Sequence, residues 1–154
     1  MRVAILHDWL VTWRGGELCL DEIAKLFGDV EIFTMFHSEK LTSEKLPKVK
    51  IHSSLLGRAS FLTKRHRLFI PFVPFFILWM SYSLNRRHKE NPFQLVISIS
   101  HCGVKNVLIP KGLKHVCYCL TPVRYVWDQF ENYVRGAWYE KLLAFPRYLA
   151  SVWD

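Results

Sequence analysis

MRVAILHDWLVTWRGGELCLDEIAKLF, residues 1–27, is the stretch on which the reading of the whole chain turns. An apolar run over residues 3–6 ends at His7-Asp8, a short loop follows, and Gly15-Gly16 lead into a helically patterned segment. The pattern predicts a strand, a loop, then a helix that begins on bare backbone. The first N–H groups of a helix have no partner within it and lie at the positive end of its dipole. Two glycines there admit an anion close to those groups. The stretch therefore predicts half of a phosphate-binding site, with a purely structural Gly-Gly turn as the alternative. It is neither a P-loop, since no Gly-Lys-Ser/Thr follows, nor the G-x-G-x-x-G of dinucleotide folds.

With 154 residues the chain is long enough for one domain with a real core. Apolar residues make up 51% and aromatics 15%, which excludes a disordered segment. Lys and Arg outnumber Asp and Glu by 21 to 13, for a net charge of +8. Such an excess suits nucleic acid, an anionic membrane surface or phosphorylated substrates without choosing among them. Cys19, Cys102, Cys117 and Cys119 form no C-x-x-C pair and no metal-type spacing with histidine. Cys117 and Cys119 alternate within an apolar run, so a strand there would place both on one face, as small core residues. The first apolar run is too short for a secretory signal and contains His7 and Asp8, which points to a cytosolic address.

Further strands are predicted over residues 30–36 (VEIFTMF), 49–53 (VKIHS), 94–100 (QLVISIS) and 115–120 (HVCYCL). Residues 38–48 are polar and read as a loop or short helical turn; residues 133–154 are helical in character apart from Gly136 and Pro146. Strands separated by helical patterns predict an α/β domain, a Rossmann-like parallel sheet with helices on both faces. Residues 146–154 carry no helix stop signal, and the expectation is a fragment of a longer protein.

FIPFVPFFILWM, residues 69–80, is apolar throughout and flanked by Lys64, Arg65 and Arg67 before and Arg86, Arg87 and Lys89 after. It is shorter than the roughly 20 residues a spanning helix needs. Pro71 and Pro74 mark a loop that gives way to a helix. Phe72, Phe75, Phe76 and Trp79, with Arg65 and Arg67, are the expected contacts to a membrane surface. A buried helix with basic ends is the competing reading.

His101 closes the strand over residues 94–100, where parallel sheets bind ligands, and can hydrogen-bond a hydroxyl or phosphate or act as acid or base; a helix-capping or loop histidine is the alternative. Lys105 would share its face if a helix began at once. TPVRYVWD, residues 121–128, follows the next strand, and Arg124 among aromatics suits a phosphate or a sugar. An Arg124–Asp128 ion pair on a helix is the alternative.

HDWLVTWRGGE, ISISH and HVCYCLTPVRYVWD, in this order, resemble the N-terminal half of family-4 glycosyltransferases, in the branch with mannosyltransferases of bacterial surface-polysaccharide assembly. The resemblance covers nearly the whole chain and is weakest over residues 38–91. It implies the N-terminal half of a GT-B fold, with residues 1–154 as the acceptor-side domain. A second Rossmann-like domain would bind the nucleotide sugar, GDP-mannose, as co-substrate. The family retains anomeric configuration and uses no metal or other cofactor.

The resemblance further implies that Gly15, Gly16 and Glu17 form the donor-diphosphate loop. His7, Asp8, Lys105, Arg124 and Tyr125 would line the acceptor and sugar side, with His101 as the candidate catalytic residue. Relatives commonly place a histidine before the Thr-Pro pair; here it is Leu120. The implied acceptor is a lipid-linked glycan, the implied location the cytoplasmic surface of the inner membrane, and nucleic acid is not a partner. Without the donor domain the chain is expected to be inactive. The alternatives are a module completed by a separately encoded partner, or a non-catalytic anion-binding module.

Overall fold

The computed structural model describes residues 1–54 and 72–121. The chain divides into compact units at 1–120 and 121–154, and the architecture below belongs to the first. Arg124, Tyr125, Arg65, Arg67 and the helical tail expected over residues 133–154 lie outside the described residues. The elements are β1 (Arg2–Leu10), α1 (Gly15–Lys25), β2 (Asp29–His37), α2 (Glu39–Lys45), β3 (Lys50–Ser53), α3 (Val73–Glu90), β4 (Leu95–Ser100), a 3-10 turn (Val104–Asn106) and β5 (Lys114–Cys119). The five strands form one sheet in the order β3-β2-β1-β4-β5, every neighbouring pair parallel. This is an α/β, Rossmann-like arrangement.

All nine residues of β1 are buried, as expected of a central strand covered on both faces. Its side chains alternate between two cores. Val3 and Ile5 join Ile32, Ile97 and Ile99 against Leu20 and Ala24 of α1. Ala4 and Leu6 join Phe33, Met35 and Val96 against Val73, Phe76, Ile77, Met80 and Leu84 of α3. Helices therefore cover both faces. The polar segment 38–48 yields one short helix, α2. Gly112 turns the chain into β5 at φ 81°, a conformation that favours glycine.

Two expectations are corrected by this packing. β5 is an edge strand and all six of its residues are exposed, so Cys117 and Cys119 are surface rather than core residues. Phe76 faces the sheet, 4.8 Å ring to ring from Phe36, and is buried; it has no surface to offer a membrane. Phe72 and Phe75 are exposed, and Trp79 is half-buried, packed against the core beneath α3. Pro74 occupies the first turn of that helix, where its missing N–H costs nothing.

At the amino ends of the strands a buried carboxylate holds three elements together. Glu31 of β2 binds Arg2 of β1, Arg87 of α3 (Nη2–Oε1 3.0 Å) and His52 of β3 (Nε2–Oε2 2.6 Å). The Arg2 guanidinium also lies 4.1 Å from the centre of the Phe93 ring.

Candidate functional site

From β1 the chain winds outward through β2 to β3, then returns to place β4 on the other side of β1. The loops leaving β1 and β4 at their carboxyl ends therefore diverge, and this is the point where parallel α/β sheets bind ligands. His7 and Asp8 lie within β1 close to its carboxyl end, and His101 opens the loop that leaves β4.

Asp8 is fully buried and its carboxylate is saturated from within. Oδ2 accepts the backbone N–H groups of His101 (2.7 Å) and Cys102 (2.9 Å); Oδ1 accepts those of Gly103 (2.8 Å) and Val104 (3.0 Å). The β4 loop is thus folded around the carboxylate as a backbone nest is folded around an anion. Asp8 is a brace for that loop, which corrects its expected role as a ligand contact.

The same carboxylate positions the His101 ring, whose Nδ1 lies 3.3 Å from Asp8 Oδ2. Trp9 meets that ring edge-on at 4.7 Å. A carboxylate can only accept, so it favours a proton on Nδ1 and leaves Nε2 as the lone-pair nitrogen. The side chain is 26% exposed, and such a nitrogen can accept a hydrogen bond from a hydroxyl.

His7 is also reassigned. Its Nδ1–H donates to the Ile99 carbonyl at 2.9 Å, while Nε2 is buried without a partner. Burial pushes its pKa down against the pull of Asp8, so the ring is neutral. A Cβ on Gly16 would lie 3.7 Å from His7 Cε1 and 3.0 Å from Leu120 Cδ1. His7 therefore stands behind the start of α1 as part of its support, not as an acceptor contact. Leu120 packs at this same place.

Helix α1 begins with Gly15 and Gly16, and its first internal bond is Leu18 N–H to Arg14 O, 2.9 Å. No side chain caps it through the residue at its N-cap. Glu17 is buried and turned back, accepting the Arg14 N–H at 2.9 Å and the Thr12 hydroxyl at 3.3 Å. This is half of a capping box, and it corrects the expectation that Glu17 meets a diphosphate directly. A Cβ on Gly15 would meet nothing within 4 Å, so the outer side of the turn is open.

Arg14, exposed at the N-cap, was not among the expected site residues. That position ordinarily holds Ser, Thr, Asp or Asn, and a cation there opposes the helix dipole. A local rule broken beside an open Gly-Gly turn was the available signal. Lys105 falls in the 3-10 turn, so the α-helical spacing expected to align it with His101 is not present. Among the described residues no group of three or more His, Cys, Asp and Glu is placed to hold a metal ion. A cavity of about 390 Å³ opens at the opposite end of the sheet, lined by Lys25, Leu46 and Lys48 among others, and among the described residues none of the expected site residues lines it.

Comparison with protein families, curated proteins and solved structures finds no match.

Gly103 is a second position the sequence did not mark. A Cβ there would lie 2.6 Å from Val73 Cγ1 and 3.2 Å from Ile77 Cδ1, so the β4 loop rests directly on α3. Gly103→Ala is expected to destabilise the fold by about 1–3 kcal/mol, because buried branched side chains must move. Urea unfolding of the two proteins measures it, and equal midpoints would show that α3 does not constrain the loop.

Proposed function

We infer that the chain is the acceptor-binding half of a retaining glycosyltransferase that moves mannose from GDP-mannose to a lipid-linked glycan. The observation that carries this reading is the pairing, at the switch point of the sheet, of the open Arg14-Gly15-Gly16 helix start with the Asp8-braced His101. One half suits a diphosphate: unpaired N–H groups, the positive end of a dipole and a guanidinium. The other suits a sugar hydroxyl. In the reaction a bond forms between the acceptor oxygen and the anomeric carbon, the bond from that carbon to the nucleoside diphosphate breaks, and the acceptor hydroxyl's proton leaves with the diphosphate. Charge develops on the departing diphosphate, where fixed N–H donors lower the barrier most. A second Rossmann-like domain supplies the nucleotide site in this reading, and Arg124 and Tyr125 remain candidates for the acceptor side.

The test is an assay of the longest natural form of the protein with GDP-mannose and other nucleotide sugars, in the presence of lipid-linked acceptors. Consumption of none of them would remove the reading. Gly16→Asp should reduce turnover by about a hundredfold or more, since it sets a carboxylate where the diphosphate charge must sit. Gly16→Ala meets a terminal methyl of Leu120 at 3.0 Å and His7 Cε1 at an ordinary 3.7 Å, and should retain most of the activity. Equal activity of all three proteins would take the diphosphate away from this loop.

A further inference from the structure

At the amino end of β2 and β3, the last turn of α1, the start of β2 and the turn that follows α2 surround the cavity of about 390 Å³. Small-molecule sites ordinarily measure about 300–1,000 Å³, so a compact ligand fits. Of the residues that line it, Ala24 and Leu46 are buried, and Phe27, Val30 and Val49 are half-buried. All five pack in the core on the α1 side of the sheet. The cavity is therefore an opening in the cover of that core, and an apolar occupant gains by removing its walls from water.

Four charged residues line the same cavity: Asp21, Lys25, Lys45 and Lys48. Lys25 is engaged, its Nζ 2.8 Å from carboxylate oxygens of both Asp21 and Glu22. Lys45 and Lys48 are exposed and form no ion pair among the described residues. They flank Leu46 and Pro47 in a turn closed by the Val49 N–H, which donates to the Leu46 carbonyl at 3.1 Å. Two further acids stand near. Glu44 precedes Lys45 on α2, where one residue along a helix turns a side chain about 100° away. Asp29, at the start of β2, lies 3.6 Å from Arg2. The carbonyl end of α1 also borders the cavity, and its partial negative charge disfavours a bare inorganic anion. Free lysines beside apolar walls instead match a ligand that has both an apolar body and a charged end.

We propose that this cavity binds a small apolar molecule with one anionic group, of the aromatic carboxylate class, its ring against Phe27, Leu46 and Val49 and its carboxylate at Lys45 and Lys48. The site is separate from the crevice at the carboxyl ends of β1 and β4. It holds whether or not the chain takes part in glycosyl transfer, and its test needs no sugar.

Nuclear magnetic resonance titration of the isotope-labelled full chain tests it with three probes. 2-Naphthoate carries both features, 2-naphthamide keeps the ring without the charge, and acetate keeps the charge without the ring. Naphthoate is expected to shift the amide signals of Phe27, Val30 and Val49 at millimolar concentration, naphthamide to bind about fivefold more weakly, and acetate to leave them in place. The double variant Lys45→Gln, Lys48→Gln should weaken naphthoate about fivefold, to the level of the amide, whereas Lys89→Gln on α3 should change nothing. A Cβ on Gly28, which lines the cavity, would meet nothing within 4 Å. Gly28→Trp can therefore fill the cavity without a clash, and should weaken both aromatic probes about tenfold or more. Circular dichroism verifies that each variant is folded. Absence of shifts with naphthoate overturns the proposal, as does equal affinity for naphthoate and naphthamide. Shifts produced by acetate alone would mark a simple ion site, and binding that Gly28→Trp leaves intact would place the probe elsewhere; either result overturns it too.

Discussion

Asp8→Ala is expected to cost about 4 kcal/mol of folding stability, enough to unfold a large share of the molecules in a domain of ordinary stability. The carboxylate is fully buried and accepts four backbone N–H groups at 2.7–3.0 Å. Removing it leaves four donors in the interior with no acceptor, each worth about 1–3 kcal/mol unless water enters. Asp8→Asn should cost roughly half as much, because the amide keeps one acceptor and turns an NH2 group toward two N–H groups. Chemical unfolding of the parent and both variants gives the order directly. If alanine is tolerated as well as asparagine, the loop does not depend on the carboxylate. The same substitutions release the His101 ring from its anchor.

Glu31→Gln should cost about 3 kcal/mol, through the opposite end of the sheet. Burial alone would raise the Glu31 pKa; hydrogen bonds from Arg87, His52 and Arg2 outweigh it and lower it to about 2. The sign of the pH dependence follows. A carboxylate with a depressed folded-state pKa contributes its stability fully above about pH 5, where the unfolded chain is also ionised. That contribution, about 3 kcal/mol, is lost as pH falls from there toward 2. The glutamine variant has no such group and leaves Arg2, 8% exposed, beside the Asn91 carbonyl with the more distant Asp29 carboxylate at 3.6 Å. Its stability should therefore be lower at neutral pH and flatter across the acid range. An acid limb of equal steepness in both proteins would place the titrating group elsewhere.

The strands were legible because burial on both faces leaves short continuous apolar runs, as in residues 3–6 and 95–97. The start of α1 was legible from Gly15-Gly16. Strand order was not, and with it went the exposure of Cys117 and Cys119: no local pattern tells an edge strand from a central one. The difference between Phe75 and Phe76 was also hidden, because helix phase shows only when polar residues mark one side, and residues 69–80 have none. Asp8 looked like a ligand contact because its partners lie 93 to 96 residues further along the chain. Glu17 carried half of a capping signature, with Arg14 where the other half is ordinarily Ser or Thr.

The long separation between Asp8 and its partners also sets an order in time. At ribosomal speed, residues 101–104 are made roughly 5–20 s after Asp8. Through that interval β1 can find β2 but not β4, and the carboxylate that will be fully buried remains in water. Closing so large a loop is paid for in chain entropy before any of its contacts form, which makes the β1–β4 pairing the slow, late event of folding. The crevice therefore exists in no shortened version of this polypeptide that stops before β4, and the nascent chain carries an unsealed apolar edge until that strand emerges.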